Sequence, residues 1–439
     1  MTLSHFTKRA IPGVALAACL LAWTSGIAYA EEAAAEQAAG QPKKSRKQQL
    51  EEARKYAIDK RTAKVFEKAR VHLEAERYAE AEEELGDLRL SRLSPHERAQ
   101  AHRLYGYIFY GKQANAEAIE HLEQALAEDG LAPADQSDVL FQIAQIQAVE
   151  RRWQDVIATL TKWFAQVERP NSVGYYMLAV AHYQQGDLDA ALLPAKKAVQ
   201  IAKKPQQAWL QLLLALHLTK KDYASAAPVL VDLISLYPNV DKSYWLQLYA
   251  VYGALDQNAR ALGVLELANR KGLLTDDADL QRLVELTLFM EIPERAAGIL
   301  EKEIAAGRID EDAEALELLS TSWIMAREAP KAEEALARAA ELSPHGNLYV
   351  RLAQVHLVQE EWELAATALR KALDKGGLAP GSAELLLGIT YYSDHKLHEA
   401  RSWFARAQQS GATREQASTW LEHIDREIQA ERGDAQAAG

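Results

Sequence analysis

Apolar side chains recur along most of this chain at three- and four-residue spacing, in short runs separated by polar turns. That is the pattern of amphipathic helices. The runs come in pairs, and an alanine marks the second member of each: Ala81, Ala118, Ala191, Ala226, Ala261, Ala296, Ala332, Ala365 and Ala400, about 35 residues apart, with Val156 in place of one missing copy. A period of this length predicts an all-α stack of about ten helical hairpins over residues 62–412. Beyond it, Ala417, Trp420, Leu421, Ile424 and Ile428 fall on one helical face, which predicts a capping helix over 413–431 and leaves 432–439 as a flexible tail.

The segment before the repeats is built differently. Lys8 and Arg9, the apolar run Ile11 to Trp23 and the small residues Ala28 and Ala30 read as a secretory signal over 1–30, cleaved after Ala30. Leu16 to Cys19 also fits a lipoprotein box, so an anchor through a lipidated Cys19 stays open as the alternative. Residues 31–61 form a low-complexity linker that turns basic at Lys43, Lys44, Arg46 and Lys47. No other stretch is apolar enough to span a membrane. Losing two basic residues and no acid with the signal takes the formal charge from −12 to −14, which argues against nucleic acid as a partner.

The hairpins have an internal order. Tyr105, Gly106 and Phe109 precede Ala118, Leu122 and Ala125; Leu387, Gly388 and Tyr391 precede Ala400, Phe404 and Ala407. This order resembles the tetratricopeptide repeat, in which large and small side chains interlock two antiparallel helices. The resemblance implies a right-handed superhelical solenoid whose first helices line a concave groove. Carried onto this sequence, the groove positions are Gln100, Arg103, Tyr107 and Tyr110 in the second repeat, Phe141 and Gln145 in the third, and Tyr176 and Tyr183 in the fourth. Aromatic rings around an arginine have the composition of a binding hot spot. Packing between repeats is the competing reading of these rings, and the convex face stays open as a binding surface. No repeat combines the groove lysine and asparagine with which some members of the family hold a peptide's terminal carboxylate.

Several stretches outside the repeat signature are similar to periplasmic tetratricopeptide proteins that accompany TonB, ExbB and ExbD energy-transducing systems. They are Ser243 to Tyr249, Gly272 to Thr275, Leu369 to Leu378 and Trp420 to Glu427. That resemblance implies an envelope accessory of TonB-dependent uptake with protein partners; an envelope-assembly or peptidoglycan-associated adaptor is the alternative.

Nothing in the sequence converges as catalytic or cofactor machinery: there is no phosphate loop, no nucleophile elbow and no zinc-binding His-Glu-x-x-His. The expectation is a non-enzymatic scaffold without cofactor or metal. His395 and His398 read as exposed turn residues. His72, His182, His217 and His356 share a repeat position with Phe109, Tyr252, Trp323 and Tyr391, so the slot reads as an aromatic packing site whose polar tip reaches a backbone carbonyl. Pro194 and Pro228 fall inside second helices, where a kink or a tolerated place near the helix start are both open. The repeat pattern leaves the oligomeric state undetermined.

Overall fold

The computed structural model describes residues 54–437, with side chains to residue 430. The expectations for the signal segment, Ala30, Cys19 and the basic cluster fall outside those residues. The described residues form 21 α-helices and no strand. No helix among them is long and apolar enough to cross a membrane. The chain divides into two units at Val240 and Asp241.

The first unit contains five hairpins: α1 Lys60–Glu74 with α2 Tyr78–Gly86, α3 Pro95–Gly111 with α4 Asn115–Ala127, α5 Pro133–Val149 with α6 Trp153–Gln166, α7 Ser172–Gln184 with α8 Leu188–Ile201, and α9 Gln207–Thr219 with α10 Tyr223–Leu236. The second contains five more: α11 Lys242–Ala254 with α12 Asn258–Arg270, α13 Asp277–Phe289 with α14 Pro293–Ala305, α15 Ala313–Met325 with α16 Ala329–Leu342, α17 Asn347–Val358 with α18 Trp362–Lys375, and α19 Ser382–Ser393 with α20 Leu397–Ala407. A last helix, α21 Arg414–Ala437, follows. Within each unit every first helix packs on its own second helix and, after the first hairpin, on the hairpin before it, the stacking that the 35-residue period predicts.

The marker alanines lie at the helix crossings. Ala81, Ala118, Ala191, Ala226, Ala296, Ala365 and Ala400 are fully buried, and Val156 fills the same place beside Leu160 and Trp163. Opposite them, Gly106 lets Leu122 approach so closely that a Cβ would stand 2.7 Å from its side chain. Gly388 does the same for Phe404, at 2.6 Å from the ring. Removing the Cβ brings the backbones together, and the large side chain fills the space at interior density. Trp420 of α21 then stacks on Phe404, ring centroids 5.3 Å apart, while Ile424 closes the same cluster. The helix runs past residue 431 into the stretch expected to be a tail, because nothing before Ala437 except Gly433 disfavours helix.

Each hairpin turns through one residue with a left-handed backbone: Glu76, Gln113, Arg151, Gly186, Lys221, Asp256, Glu291, Arg327, Glu360 and His395. The next N–H bonds back to the carbonyl at the histidine and aromatic slot, as from Asp222 to His217 and from Glu361 to His356, both at 2.9 Å. This is the Schellman closure, and nine of these ten positions lack the glycine that favours it. His395 is such a turn residue.

The remaining departures are accommodated locally. Pro194 and Pro228 sit beyond the first turn of α8 and α10, so the carbonyls of Ala190 and Ala224 lose their helical donors while the helices continue. Glu303 replaces a small residue and is fully buried, where Arg308 pairs with its carboxylate.

Candidate protein-binding face

The face expected to bind begins at a well-defined helix start. Ser94 caps α3, its hydroxyl accepting from the Glu97 N–H while the Glu97 carboxylate accepts from the Ser94 N–H at 2.9 Å, and Pro95 occupies the first turn. Glu97 also accepts from the Asp59 N–H at 2.8 Å, which ties the start of α1 to α3. Burial pushes the Glu97 carboxyl up, but these donors outweigh it and hold the group below its ordinary value. From that fixed end, helical spacing puts Gln100, Arg103, Tyr107 and Tyr110 on one side of α3.

Arg103 is the centre of this side, and its charge is already matched. Its Nε donates to the Tyr107 hydroxyl at 2.5 Å, one terminal nitrogen lies 2.6 Å from Asp135, and the other lies 3.8 Å from Asp138. Burial works against the charge, yet Tyr107 and the two aspartates overcome it and hold the guanidinium above its usual range. Gln100 donates to Asp135 at 3.2 Å, and Gln142 donates to the Tyr107 hydroxyl at 2.9 Å. Asp135, Asp138 and Gln142 come from α5, so the network joins the first helices of two successive hairpins.

The seven residues singled out from the sequence thus divide. Arg103 and Tyr107 belong to this network, and Tyr110 is half-buried against the same hairpin. Phe141 packs on Trp163 with ring centroids 5.0 Å apart, over a Gly174 that has room for no Cβ. Tyr176 is 5% exposed and stacks on Trp209 at 5.3 Å, which takes it into the packing between hairpins. Gln145 and Tyr183 stay half-buried on α5 and α7. Asp135, Asp138 and Gln142 were not expected in the site, although the repeat period contains the signal. Each lies 35 residues after Gln100, Arg103 and Tyr107, at the same position of the next hairpin.

The histidine slot also differs in one respect from its expectation. His217 and His356 are buried packing residues, but their polar tips reach carboxylates: Nδ1 lies 3.0 Å from Asp222 and 2.7 Å from Glu361, each the residue before a second helix. Five residues on, past the left-handed turn, a side chain faces the ring directly, and the carbonyls nearby are already used by the turn. Burial first, and then Lys196, hold His217 below its ordinary value against the pull of Asp222.

The sequence profile described as tetratricopeptide repeat matches residues 66–133 and 350–415. A curated mouse protein, BBSome complex member BBS4, is 27% identical over 200 residues, which is 45% of this chain; the match spans only about a third of that protein, 36% of its length. Among solved structures, a tetratricopeptide repeat protein from Parabacteroides merdae is 17% identical over 66% of this chain and 98% of its own, with a TM-score of 0.30. The C-terminal part of a repeat protein from Cytophaga hutchinsonii is 16% identical over 64% of this chain and 95% of its own, with a TM-score of 0.36. The matched segments include the interlocked glycines and alanines of the second and last hairpins, and both segments carry the tetratricopeptide-repeat pattern.

Proposed function

We propose that this chain is a non-enzymatic, protein-binding scaffold of the periplasm, an accessory of TonB-dependent uptake that holds protein or peptide partners along the first helices of hairpins two to four. The observation that carries the reading is the ordered face on α3 and α5, where Arg103 fixes Tyr107 against Asp135 and Gln142 before any partner arrives. A face held in place by its own hydrogen bonds loses little entropy on binding. Because Arg103 is matched by two aspartates, the face suits polar and apolar contacts of a folded surface or peptide backbone and not a terminal carboxylate. Membership of an assembly is also what is said of BBSome complex member BBS4, the mouse relative.

Crosslinking and mass spectrometry in the native envelope tests the reading. TonB, ExbB or ExbD are the expected partners, and cell-wall synthases in their place would transfer the scaffold to envelope assembly. The double variant Tyr110→Ala, Tyr183→Ala leaves the Arg103 network intact and is expected to lower partner capture by roughly tenfold, the loss of a modest hot spot. Unchanged capture would remove the face from the proposal. The mass of the mature N-terminus decides between cleavage after Ala30 and lipidation of Cys19.

A further inference from the structure

One member of the histidine slot has acquired two carboxylates. His356, on α17, is 5% exposed and cannot leave its place in the core of its hairpin. Its Nδ1 lies 2.7 Å from the Glu361 carboxylate, and its Nε2 lies 3.9 Å from the carboxylate of Glu333 on α16, in the preceding hairpin. Glu361 is held beside the ring by the left-handed turn at Glu360 and by its own N–H, which bonds the His356 carbonyl at 2.9 Å. One ligand atom from each of the three residues lies within 4.8 Å of the other two.

We infer that Glu333, His356 and Glu361 form a binding site for a borderline divalent cation such as Zn2+. An imidazole nitrogen with two carboxylate oxygens suits zinc or manganese, and the nitrogen disfavours the hard cations calcium and magnesium. Two carboxylates and a neutral ring balance the charge of a divalent ion. Bonds of about 2.1 Å in a tetrahedron place ligand atoms roughly 3.4 Å apart. The two carboxylates now sit at different ring nitrogens, so binding through Nε2 requires the partly exposed Glu361 side chain to rotate from Nδ1 toward Glu333, with the buried ring as the fixed ligand. A fourth position stays open to water or to a side chain of a partner.

The other histidines of the chain supply the contrast. His217 occupies the same slot and meets Asp222 at 3.0 Å, but the positive charge of Lys196 opposes a charged ring there, and the position matching Glu333 is Leu192. His182 precedes Asp187 in the same way, with Ile157 at the matching position, and His72 precedes Arg77. His102 and His121 bring two ring nitrogens within 3.1 Å without a carboxylate to complete a set. Among the described residues, only the ninth hairpin combines the buried ring with an acid from each side.

Titration of the chelator-stripped full chain with ZnCl2, followed by calorimetry, tests the site. One tight equivalent per chain is expected for the wild type. Glu333→Gln, a change at a partly exposed position, and His356→Phe, which installs the ring that Phe109 carries in the same slot, are each expected to weaken that equivalent by tenfold or more, with the helical circular dichroism unchanged. Absence of micromolar binding by the wild type would overturn the inference, and so would an equivalent that both variants retain.

Discussion

Gly130 closes the second hairpin with an ordinary backbone conformation, so its lack of a side chain is required by its neighbours alone. A Cβ there would stand 2.2 Å from the Pro95 oxygen and 2.3 Å from the Pro95 carbonyl carbon, and its own carbonyl meets His96 Nδ1 at 2.8 Å. The obstacle is backbone at a capped helix start, which cannot rotate away as a side chain would. Gly130→Ala therefore forces α3 and the α4–α5 link apart by roughly 1 Å, at the upper end of overpacking costs, about 3 kcal/mol. Loss of the His96 hydrogen bond adds about 1 kcal/mol, and the stiffer unfolded chain returns about 0.5–1 kcal/mol. The expected net loss is about 3 kcal/mol. Gly298 is the control: it is exposed inside α14 with nothing within 4 Å of its missing Cβ, so Gly298→Ala is expected to stabilise by about 0.5–1 kcal/mol. Because repeat arrays open locally, hydrogen exchange is the suitable assay. Protection is expected to fall in α3 to α5 for Gly130→Ala and to rise in α14 for Gly298→Ala. A Gly130→Ala protein with wild-type protection, or equal effects at the two sites, would refute the close-approach argument.

Two further predictions concern the charges of the first unit. The pair of Arg103 and Asp135, 19% and 29% exposed, lies between the surface and buried regimes, so Arg103→Met and Asp135→Asn should each cost about 1–3 kcal/mol. The double variant should cost about 1 kcal/mol less than their sum in denaturant titration, and strict additivity would show that the two do not interact. Glu97 has a folded pKa below its unfolded value, so its stabilisation is fully present above about pH 4.5 and is lost as pH falls through the folded value. Glu97→Gln should therefore cost about 1–2 kcal/mol at pH 7 and flatten the acid limb of a stability profile; an unchanged acid limb would count against it.

What was legible in the sequence is what a local period can encode. Side chains at helical spacing fix the amphipathic helices, and the alanines about 35 residues apart fix how many hairpins there are and which small residue meets which large one, as Gly106 and Leu122 show. The polar network was legible in part, because Arg103 and Tyr107 follow from their repeat positions. Their partners required the stacked structure, since Asp135, Asp138 and Gln142 are distant along the chain and near only when hairpins stack. The same stacking turned Tyr176 from a surface residue into a packing residue.

The sequence by itself determined the helices, their pairing and the repeat. Each rests on interactions within one hairpin, where composition and spacing act over a few turns. The tertiary structure decided which polar groups meet between hairpins, why Gly130 can be nothing larger, and that Glu333 and Glu361 close on one buried histidine. It also decided the left-handed turns at residues such as Glu76 and Arg327, which no glycine announces. Those conformations are imposed by the packing of the two helices they join, and the local preference of the residue is overruled there.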